Sequence, residues 1–246
     1  MATLRDRGVH VVGPGSGYLA CGDVDTGRMS EPEDIVEAIC EVLNPVPQDL
    51  AGKRIVITAG PTHEPIDPVR FIGNRSSGKM GIALAGKAAR RGAEVTLVLG
   101  PTSLDVPRGV ACVSVQTAAE MLQAALSAFQ TADAAICAAA VADYTPAAPA
   151  DHKLKKANER LDRIELVETV DILAELSRQK GDRLVIGFAA ETDNVVKYAE
   201  RKLARKGCDA IIANDVSRAD SGFGTDTNKA WIVSTTGTKE LPVLTK

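Results

Sequence analysis

The chain has 246 residues, of which 45% are hydrophobic and 25% are charged, so it can bury one sizeable core and carry an additional segment. Its formal net charge of -3 at pH 7 gives no electrostatic reason to expect nucleic acid or a membrane as a partner. Aromatic residues make up only 3% of the chain, which argues against stacking surfaces for single-stranded nucleic acid.

The cysteines are odd in number and scattered, at Cys21, Cys40, Cys112, Cys137 and Cys208. They form no CxxC pair, so the pattern indicates neither a disulfide framework nor a zinc site and is typical of reduced thiols. The N-terminus lacks the order of a signal peptide, and no apolar run approaches the length that spans a bilayer. We therefore predict a cytoplasmic protein.

Residues 1–48 differ in composition from the rest of the chain. They are rich in glycine, proline and acidic residues, and they contain one helical pattern at 31–43, which ends before Pro45 and Pro47. A segment of this size is too short to hold its own core. We expect a fragment, a linker or an arm that packs on another chain, followed by one domain at 49–246.

From residue 53 onward, apolar β-like runs alternate with helical patterns. The predicted strands are 54–58, 94–99, 134–137, 184–187 and 210–213, with two short β-like runs near Trp231 and Leu241. The predicted helices are 79–91, 118–129 and 194–206. This alternation predicts an α/β fold, a Rossmann-like three-layer domain with a parallel sheet and helices on both faces. Ligands in such folds bind at the carboxyl ends of the strands.

The loop after the first strand contains a near match to a P-loop at residues 73–80. Met80 stands where the magnesium-binding hydroxyl belongs, and the run lies well beyond the end of its strand, so the P-loop is rejected. Three residues at the start of the following helix are instead candidates for binding a phosphate: Ser76, Ser77 and Gly78. A serine-capped helix without a ligand is the alternative, although it does not explain the flanking Arg70, Asn74 and Arg75.

The loop after the strand 134–137 combines small residues with a carboxylate and, further on, lysines. Small side chains at a strand end let a planar base or a sugar approach the backbone. Asp143 could hold a ribose hydroxyl or a metal ion. The lysines of 153–156 could close over a triphosphate as a lid, and a solvated basic loop is the alternative.

Three further segments leave alternatives open. Lys202 and Lys206 lie on one face of the helix 194–206, but an exposed basic face explains them as well. Thr169 or Asp171 could cap a helix. Phe188, at a strand end, could cover a base or belong to the core.

Taken together, several of these segments resemble one family. The strings are ITAGPTHEPIDPVRFIGNRSSGKMG, CAAAVADY, KLKK, GFAAET and ANDVSRADSGFGTDTN. In order and spacing they are similar to phosphopantothenate–cysteine ligase, the synthetase half of the bacterial bifunctional coenzyme A biosynthesis protein, from about residue 49 to 246.

The leader string GPGSGYLACGDVDTGRM resembles the substrate clamp of the decarboxylase half, and Cys21 matches that family's proton-donating cysteine. The flavin-binding body of that half is absent from this chain. The resemblance therefore implies neither bound FMN nor decarboxylase activity here. The family also usually continues with another helix beyond the position of residue 246.

The resemblance implies two half-reactions. The carboxylate of 4'-phosphopantothenate attacks the α-phosphate of CTP and releases pyrophosphate, and the amine of L-cysteine then attacks the acyl-cytidylate and releases CMP. It also implies a Mg²⁺ ion held largely by substrate oxygens, with its protein ligands unknown, and a homodimer with shared active sites, possibly larger with an intact decarboxylase half.

The resemblance further assigns site residues. Lys153 matches a loop lysine that assists triphosphate chemistry, Asn74 an asparagine needed to process the acyl-cytidylate, and Arg70 an arginine near phosphopantothenate. Positions around the nucleotide are matched by Cys137, Ala138, Ala139, Asp143, Thr169, Val170, Asp171, Ile172, Phe188, Lys202 and Lys206.

Two other classes of protein stay open on the sequence alone. An NAD(P)-dependent oxidoreductase would carry a GxGxxG after the first strand, and this chain has none there. A non-catalytic subunit would bind nucleotide without releasing pyrophosphate. The preference for CTP over ATP follows from the resemblance and not from the residues themselves.

Overall fold

The computed structural model describes residues 2–18, 24–43, 45–155, 162–218, 220–221 and 225–245. The chain divides into two compact units, Met1–Gln48 and Asp49–Lys246. The first unit contains α1 (Ala2–Asp6), β1 (Gly15–Tyr18), β2 (Val24–Arg28) and α2 (Pro32–Leu43). The predicted leader helix is confirmed as α2, with proline in its first turn, where a missing N–H costs nothing. The strands β1 and β2, which pair antiparallel, were not predicted.

The second unit is built from strands and helices that alternate. Its strands are β3 (Arg54–Ala59), β4 (His63–Pro65), β5 (Phe71–Gly73), β6 (Glu94–Leu99), β7 (Val110–Ser114), β8 (Ala134–Cys137), β9 (Tyr144–Pro146), β10 (Leu166–Glu168), β11 (Leu184–Glu191), β12 (Ala210–Asp215), β13 (Thr227–Asn228), β14 (Ala230–Ser234), β15 (Gly237–Glu240) and β16 (Leu244–Thr245). Its helices are α3 (Lys79–Arg90), α4 (Ala118–Phe129), α5 (Ile172–Arg178) and α6 (Val195–Lys206).

The central sheet has eight strands in the order β15-β14-β12-β11-β8-β3-β6-β7. The neighbours from β12 to β7 all pair in parallel, as the alternation predicts. The parallel sheet is confirmed for these six strands, and one edge adds β14, which runs antiparallel to both of its neighbours, β12 and β15. Between β14 and β15 a tight turn from Ser234 to Gly237 returns the chain directly and leaves no room for a crossover helix.

Helices cover both faces of the sheet, which confirms the three-layer prediction. On one face, α3 packs over a cluster that includes Ile57 and Leu97. On the other, helices pack over a second cluster that includes Phe129, Val185 and Ile211. In β3, Ile55, Ile57 and Ala59 belong to the first cluster and Val56 to the second, so the strand is buried on both faces.

Two differences from the predicted boundaries have physical causes. The strand β11 continues to Glu191 because it stays paired with β12 as far as Asp215, beyond the short apolar run that predicted it. The strand β7 was missed because it lies at the edge of the sheet with most of its residues exposed, so its pattern carries no signal of burial. In the described part of the chain, no helix is long and apolar enough to cross a membrane.

Candidate functional site

A cleft of about 1110 Å³ lies at the carboxyl ends of the central strands. Thr58 of β3, Cys137 of β8, Phe188 of β11 and Asn214 of β12 all line it. The strands β3 and β8 are neighbours, but the chain leaves β3 towards β6 and β7 before it returns to β8 on the other side. The order of strands therefore reverses between them, and this is where α/β sheets bind ligands.

The floor of the cleft is made of backbone from the small-residue loop after β8. Ala138 N–H donates to the Thr58 carbonyl (3.1 Å), and Ala140 N–H donates to the Gly60 carbonyl (2.8 Å). The Asn74 side chain reaches the same loop, where its Nδ2 donates to the carbonyls of Ala140 (3.3 Å) and Val141 (2.9 Å). Asn74 thus ties the loop after β5 to the loop after β8.

The N-terminus of α3 faces the cleft, with Ser76, Ser77 and Gly78 among its lining residues. The alternative of a serine cap is wrong: the residue at the N-cap is Gly78, with φ of 78°, and no side chain caps the helix. The serine hydroxyls accept long hydrogen bonds, from Gly78 N–H to Ser76 Oγ (3.3 Å) and from Lys79 N–H to Ser77 Oγ (3.4 Å). The first turn therefore still presents N–H groups and the positive end of the helix dipole, which suit an anion.

Glycine brings this helix end close to β3. A Cβ built on Gly81 would lie 2.4 Å from the Ala59 Cβ, and one on Gly78 would lie 3.3 Å from the Gly60 Cα. No larger side chain fits at Gly81 without moving the backbone. The small residues thus place the helix tip directly above the strand end.

Cations of α6 form the opposite wall. Lys202 and Lys206 line the cleft, and so do Arg201 and Arg205, which are exposed on the same helix. Lys202 Nζ donates to the Phe188 carbonyl (2.7 Å), and burial lowers the pKa of Lys202 although nearby carboxylates oppose that shift. The sequence could have identified the arginines, because they flank the two lysines on the same turns of α6.

Asp171 resolves one of the open alternatives. It, and not Thr169, is the N-cap of α5, where its Oδ1 accepts from Ala174 N–H (2.9 Å). Its other oxygen forms an ion pair with Lys206. Thr169 instead donates from Oγ1 to the Ala142 carbonyl (2.6 Å), which fastens the segment 169–172 to the floor of the cleft.

Most of the residues singled out from the sequence meet at this cleft. Those in its lining are Asn74, Ser76, Ser77, Gly78, Cys137, Ala138, Ala139, Asp143, Thr169, Val170, Asp171, Ile172, Phe188, Lys202 and Lys206. Cys137 is partly buried at the end of its strand, and burial raises the pKa of its thiol to about 12. Tyr198 and Asn214 were missed; Asn214 could have been found, because it lies at the end of a predicted strand.

Arg70 and Lys153 lie outside the residues that line the cleft. The Arg70 guanidinium forms an ion pair with the buried Asp67 and donates to the Leu154 carbonyl (2.9 Å). Lys153 is exposed one residue before that carbonyl. Cys21 and the last lysine of the 153–156 run lie outside the described residues.

A resident metal site is not found among the residues that the structure describes. They contain no group of three or more His, Cys, Asp or Glu side chains that could hold an ion. The carboxylates of Asp143, Glu168 and Glu191 do line the cleft. A cation that arrives already bound to phosphate oxygens would therefore meet acceptors there without a dedicated protein site.

The chain is similar to a known protein family and to several characterised proteins. Residues 50–246 match the family "DNA/pantothenate metabolism flavoprotein C-terminal domain". The chain is 48% identical over its full length to the coenzyme A biosynthesis bifunctional protein CoaBC of Bacillus subtilis, covering 61% of that protein. It is 48% identical over 99% of its length to CoaBC of Escherichia coli K12, covering 60% of that protein. The chain thus spans about three fifths of the curated relatives it matches.

Solved structures agree with this similarity. The crystal structure of the C-terminal domain of a CoaBC superposes with a TM-score of 0.68 at 47% identity, over 80% of this chain and 89% of that one. The DNA/pantothenate metabolism flavoprotein from Streptococcus pneumoniae superposes with a TM-score of 0.64 at 23% identity, over 79% of this chain and 93% of that one, which shows a shared fold.

Proposed function

This chain belongs to the family of the DNA/pantothenate metabolism flavoprotein C-terminal domain, and from that membership we propose that it joins 4'-phosphopantothenate to L-cysteine at the expense of CTP. The proposal places the protein in coenzyme A biosynthesis, where its CoaBC relatives are named. The observation that carries it is the cleft, which is lined by both the N-terminus of α3 and the lysines of α6 and lies at the reversal of strand order.

In the first half-reaction, a carboxylate oxygen of phosphopantothenate bonds to the α-phosphorus of CTP while the bond to pyrophosphate breaks. Two anions must meet for this step, so cations and N–H donors have to neutralise their charge. The N–H groups at the N-terminus of α3, beside Ser76, Ser77 and Gly78, and the ammonium groups of Lys202 and Lys206 are the proposed phosphate ligands. Mg²⁺, when bound to the triphosphate, would neutralise further charge.

The nucleoside is proposed to lie over the backbone floor of the cleft. The small side chains of Ala138 and Ala139 leave room for a flat ring, and Phe188 lies half-buried on the neighbouring strand. Asp143 is available to accept hydrogen bonds from the ribose hydroxyls. The segment 169–172 contributes the remaining wall. Discrimination between CTP and ATP would then depend on backbone groups.

In the second half-reaction, the cysteine amine forms a bond to the activated carbonyl carbon, CMP leaves with the bonding electrons, and the amine loses a proton. Asn74 is the proposed residue for this step. Its Nδ2 is already bonded to two carbonyls of the floor, so its Oδ1 is the atom left to orient a reacting group. Lys153 is proposed to assist the triphosphate chemistry of the first step.

We also propose that the active enzyme is a homodimer. Tyr144 of β9 is 47% exposed, and Leu166 and Val167 of β10 are 43% and 46% exposed, so this hairpin presents apolar side chains to solvent. Tyr144 and Glu168 belong both to the hairpin and to the lining of the cleft, so a second copy seated there would reach the site. Val167→Asp should give monomers in light scattering and reduce turnover, whereas Leu184→Asp, at a similarly exposed position (47%), should change neither.

The leader and the location complete the proposal. Residues 1–48 are proposed to derive from the decarboxylase half. The cysteines in the described part of the chain, Cys40, Cys112, Cys137 and Cys208, are free thiols, which suits the proposed cytoplasmic location.

A pyrophosphate-release assay tests the proposed reaction. Phosphopantothenate and CTP together should release pyrophosphate, the release of CMP should require cysteine, and ATP should support the reaction less well. A protein that is stabilised by CTP in a thermal-shift assay but releases no pyrophosphate would be a binding subunit, and the proposal would be wrong.

A further inference from the structure

A buried carboxylate lies beneath the segment that carries Lys153. The Asp67 side chain is fully buried, with 0% of it exposed. Its Oδ1 accepts from the backbone N–H groups of Val69 (2.9 Å) and Arg70 (2.8 Å). Its Oδ2 accepts from Arg70 Nε (2.9 Å), Arg70 Nη2 and the Leu154 N–H (3.2 Å). The Arg70 guanidinium holds the pKa of this carboxyl well below its usual range, so Asp67 is ionised at neutral pH.

The two oxygens of Asp67 serve different purposes. The bonds of Oδ1 close the local turn 67–70, as aspartate commonly does in loops. The bonds of Oδ2 reach a segment that is distant in sequence, and Arg70 Nη2 also donates to the Leu154 carbonyl (2.9 Å). Both backbone polar groups of Leu154 are therefore held by this ion pair.

The same loop also holds the other end of the segment. Ala150 N–H donates to the Ile66 carbonyl (2.9 Å), so residues 150 and 154 are both fastened to the turn 66–70. Only Asp151, His152 and Lys153 lie between these two points. The Lys153 ammonium is exposed and forms no ion pair with the residues that the structure describes.

The bond to Leu154 controls the direction of the neighbouring lysine. The Leu154 N–H belongs to the planar peptide unit that includes the Lys153 carbonyl. A hydrogen bond to that N–H fixes the plane, and with it the backbone torsion after the Lys153 Cα. The Cα–Cβ bond of Lys153 then points in one direction before any ligand binds.

The hairpin of β4 and β5 connects this arrangement to the cleft. Asp67 and Arg70 lie in its turn, and Asn74 follows its second strand and bonds to the floor of the cleft. The residues proposed for the two half-reactions, Lys153 and Asn74, are thus attached to one hairpin.

We propose that Asp67 is a positioning residue for the first half-reaction, acting through Arg70 and the Leu154 backbone to preset Lys153 for the triphosphate. The inference rests on the proposed ligase function. On this proposal Arg70 holds the segment that carries Lys153 and does not contact phosphopantothenate directly.

Asp67→Asn is the direct test, because it keeps the shape of the side chain. An amide nitrogen at the position of Oδ2 would point a donor at the guanidinium and at the Leu154 N–H, so the hydrogen bonds from Arg70 and Leu154 to this position are lost. We expect kcat for pyrophosphate release to fall by about 10–100-fold, because a misplaced group about 1 Å away can cost ~100-fold. The KM values for CTP and phosphopantothenate should stay nearly unchanged.

A double-mutant cycle separates positioning from a general structural role. If Asp67 acts through Lys153, the double variant Asp67→Asn/Lys153→Gln should be no slower than Lys153→Gln alone. Asp49→Asn is the matched control, because it removes another aspartate–arginine pair, with Arg91, away from the cleft, and should leave turnover unchanged. Should Asp67→Asn fail to fold, Arg70→Lys takes its place in the cycle, because a lysine has one nitrogen and cannot repeat the contact that Arg70 Nε and Nη2 together make with Asp67 while Nη2 also bonds Leu154.

Each other outcome refutes one part of the proposal for Asp67. Multiplicative losses in the double variant would show that Asp67 does not act through Lys153. A rise in the KM for phosphopantothenate at unchanged kcat would return Arg70 to direct substrate binding. Full activity of Lys153→Gln would remove the residue that Asp67 is said to position. Absence of pyrophosphate release from the unaltered protein would instead refute the proposed function, and the inference with it.

Discussion

Gly78→Ala gives a quantitative test of the phosphate site at the N-terminus of α3. Gly78 has φ of 78°, and an added Cβ would lie 3.3 Å from the backbone N and Cα of Gly60. Left-handed backbone costs an alanine roughly 1–2 kcal/mol. For a domain of this size that loss should lower Tm by about 2–8 °C. The contact with Gly60 should also shift the helix tip away from β3.

Gly52→Ala is a matched control for this variant. Gly52 has nearly the same φ, 74°, but an added Cβ there meets nothing within 4 Å. Both variants should therefore lose similar stability from the backbone alone. CTP at about 100 times its Kd should stabilise the unaltered protein by roughly 2.7 kcal/mol, or about 5–11 °C. Gly52→Ala should keep this rise in a thermal-shift assay and Gly78→Ala should lose most of it.

One outcome for Gly78→Ala and Gly52→Ala would refute a phosphate site at the N-terminus of α3. If CTP raises the Tm of both variants by the same amount as that of the unaltered protein, then the N-terminus of α3 does not bind the nucleotide. Ser76, Ser77 and Gly78 would then not form a phosphate site.

Three other predictions follow from the site and the core. Asn74→Asp replaces a donor to two backbone carbonyls by a carboxylate, so the acyl-cytidylate should accumulate and be detected by mass spectrometry; its absence, with normal amide formation, would contradict the assignment. Cys137 should resist alkylation between pH 7 and 9, because a thiol with a pKa of about 12 has almost no thiolate there. The exposed Cys112 should react in the same pH range. Equal labelling rates for the two cysteines would show that the site around Cys137 is open. Phe129→Ala should lower the free energy of unfolding in urea by about 3–5 kcal/mol, since Phe129 is 1% exposed, with a smaller loss for Phe129→Leu; equal losses would mean that cavity size is not the cause.

The regular elements could be predicted because their patterns have purely local causes. The helix 118–129 and the strands 94–99 and 134–137 agree with the observed bounds. In α4, the Thr117 side chain and Glu120 form a capping box, so even the start of the helix is fixed by nearby residues. The antiparallel edge strand β15 is exposed along its whole length, and such strands lack the apolar signal that marks the centre of the sheet.

The site could be predicted in part, from the rule that strand ends meet at one edge. That rule brings together Cys137, Phe188 and the loop after β3. It could not give the partners of Arg70, because the bond to Leu154 joins residues 84 positions apart. It also could not decide between Thr169 and Asp171 as a cap, since both types cap helices and only the backbone geometry selects one.

The floor of the cleft has a consequence for inhibition. It consists of peptide groups from residues 138–142, held by bonds to the backbone of Thr58 and Gly60. A compound that hydrogen-bonds to main-chain atoms cannot be evaded by exchanging the side chain that it contacts. A bulkier residue at Ala138 or Ala139 would exclude the compound, but it would occupy the same space that any natural ligand of this cleft requires. Resistance arising at this surface should therefore weaken the binding of the protein's own ligand.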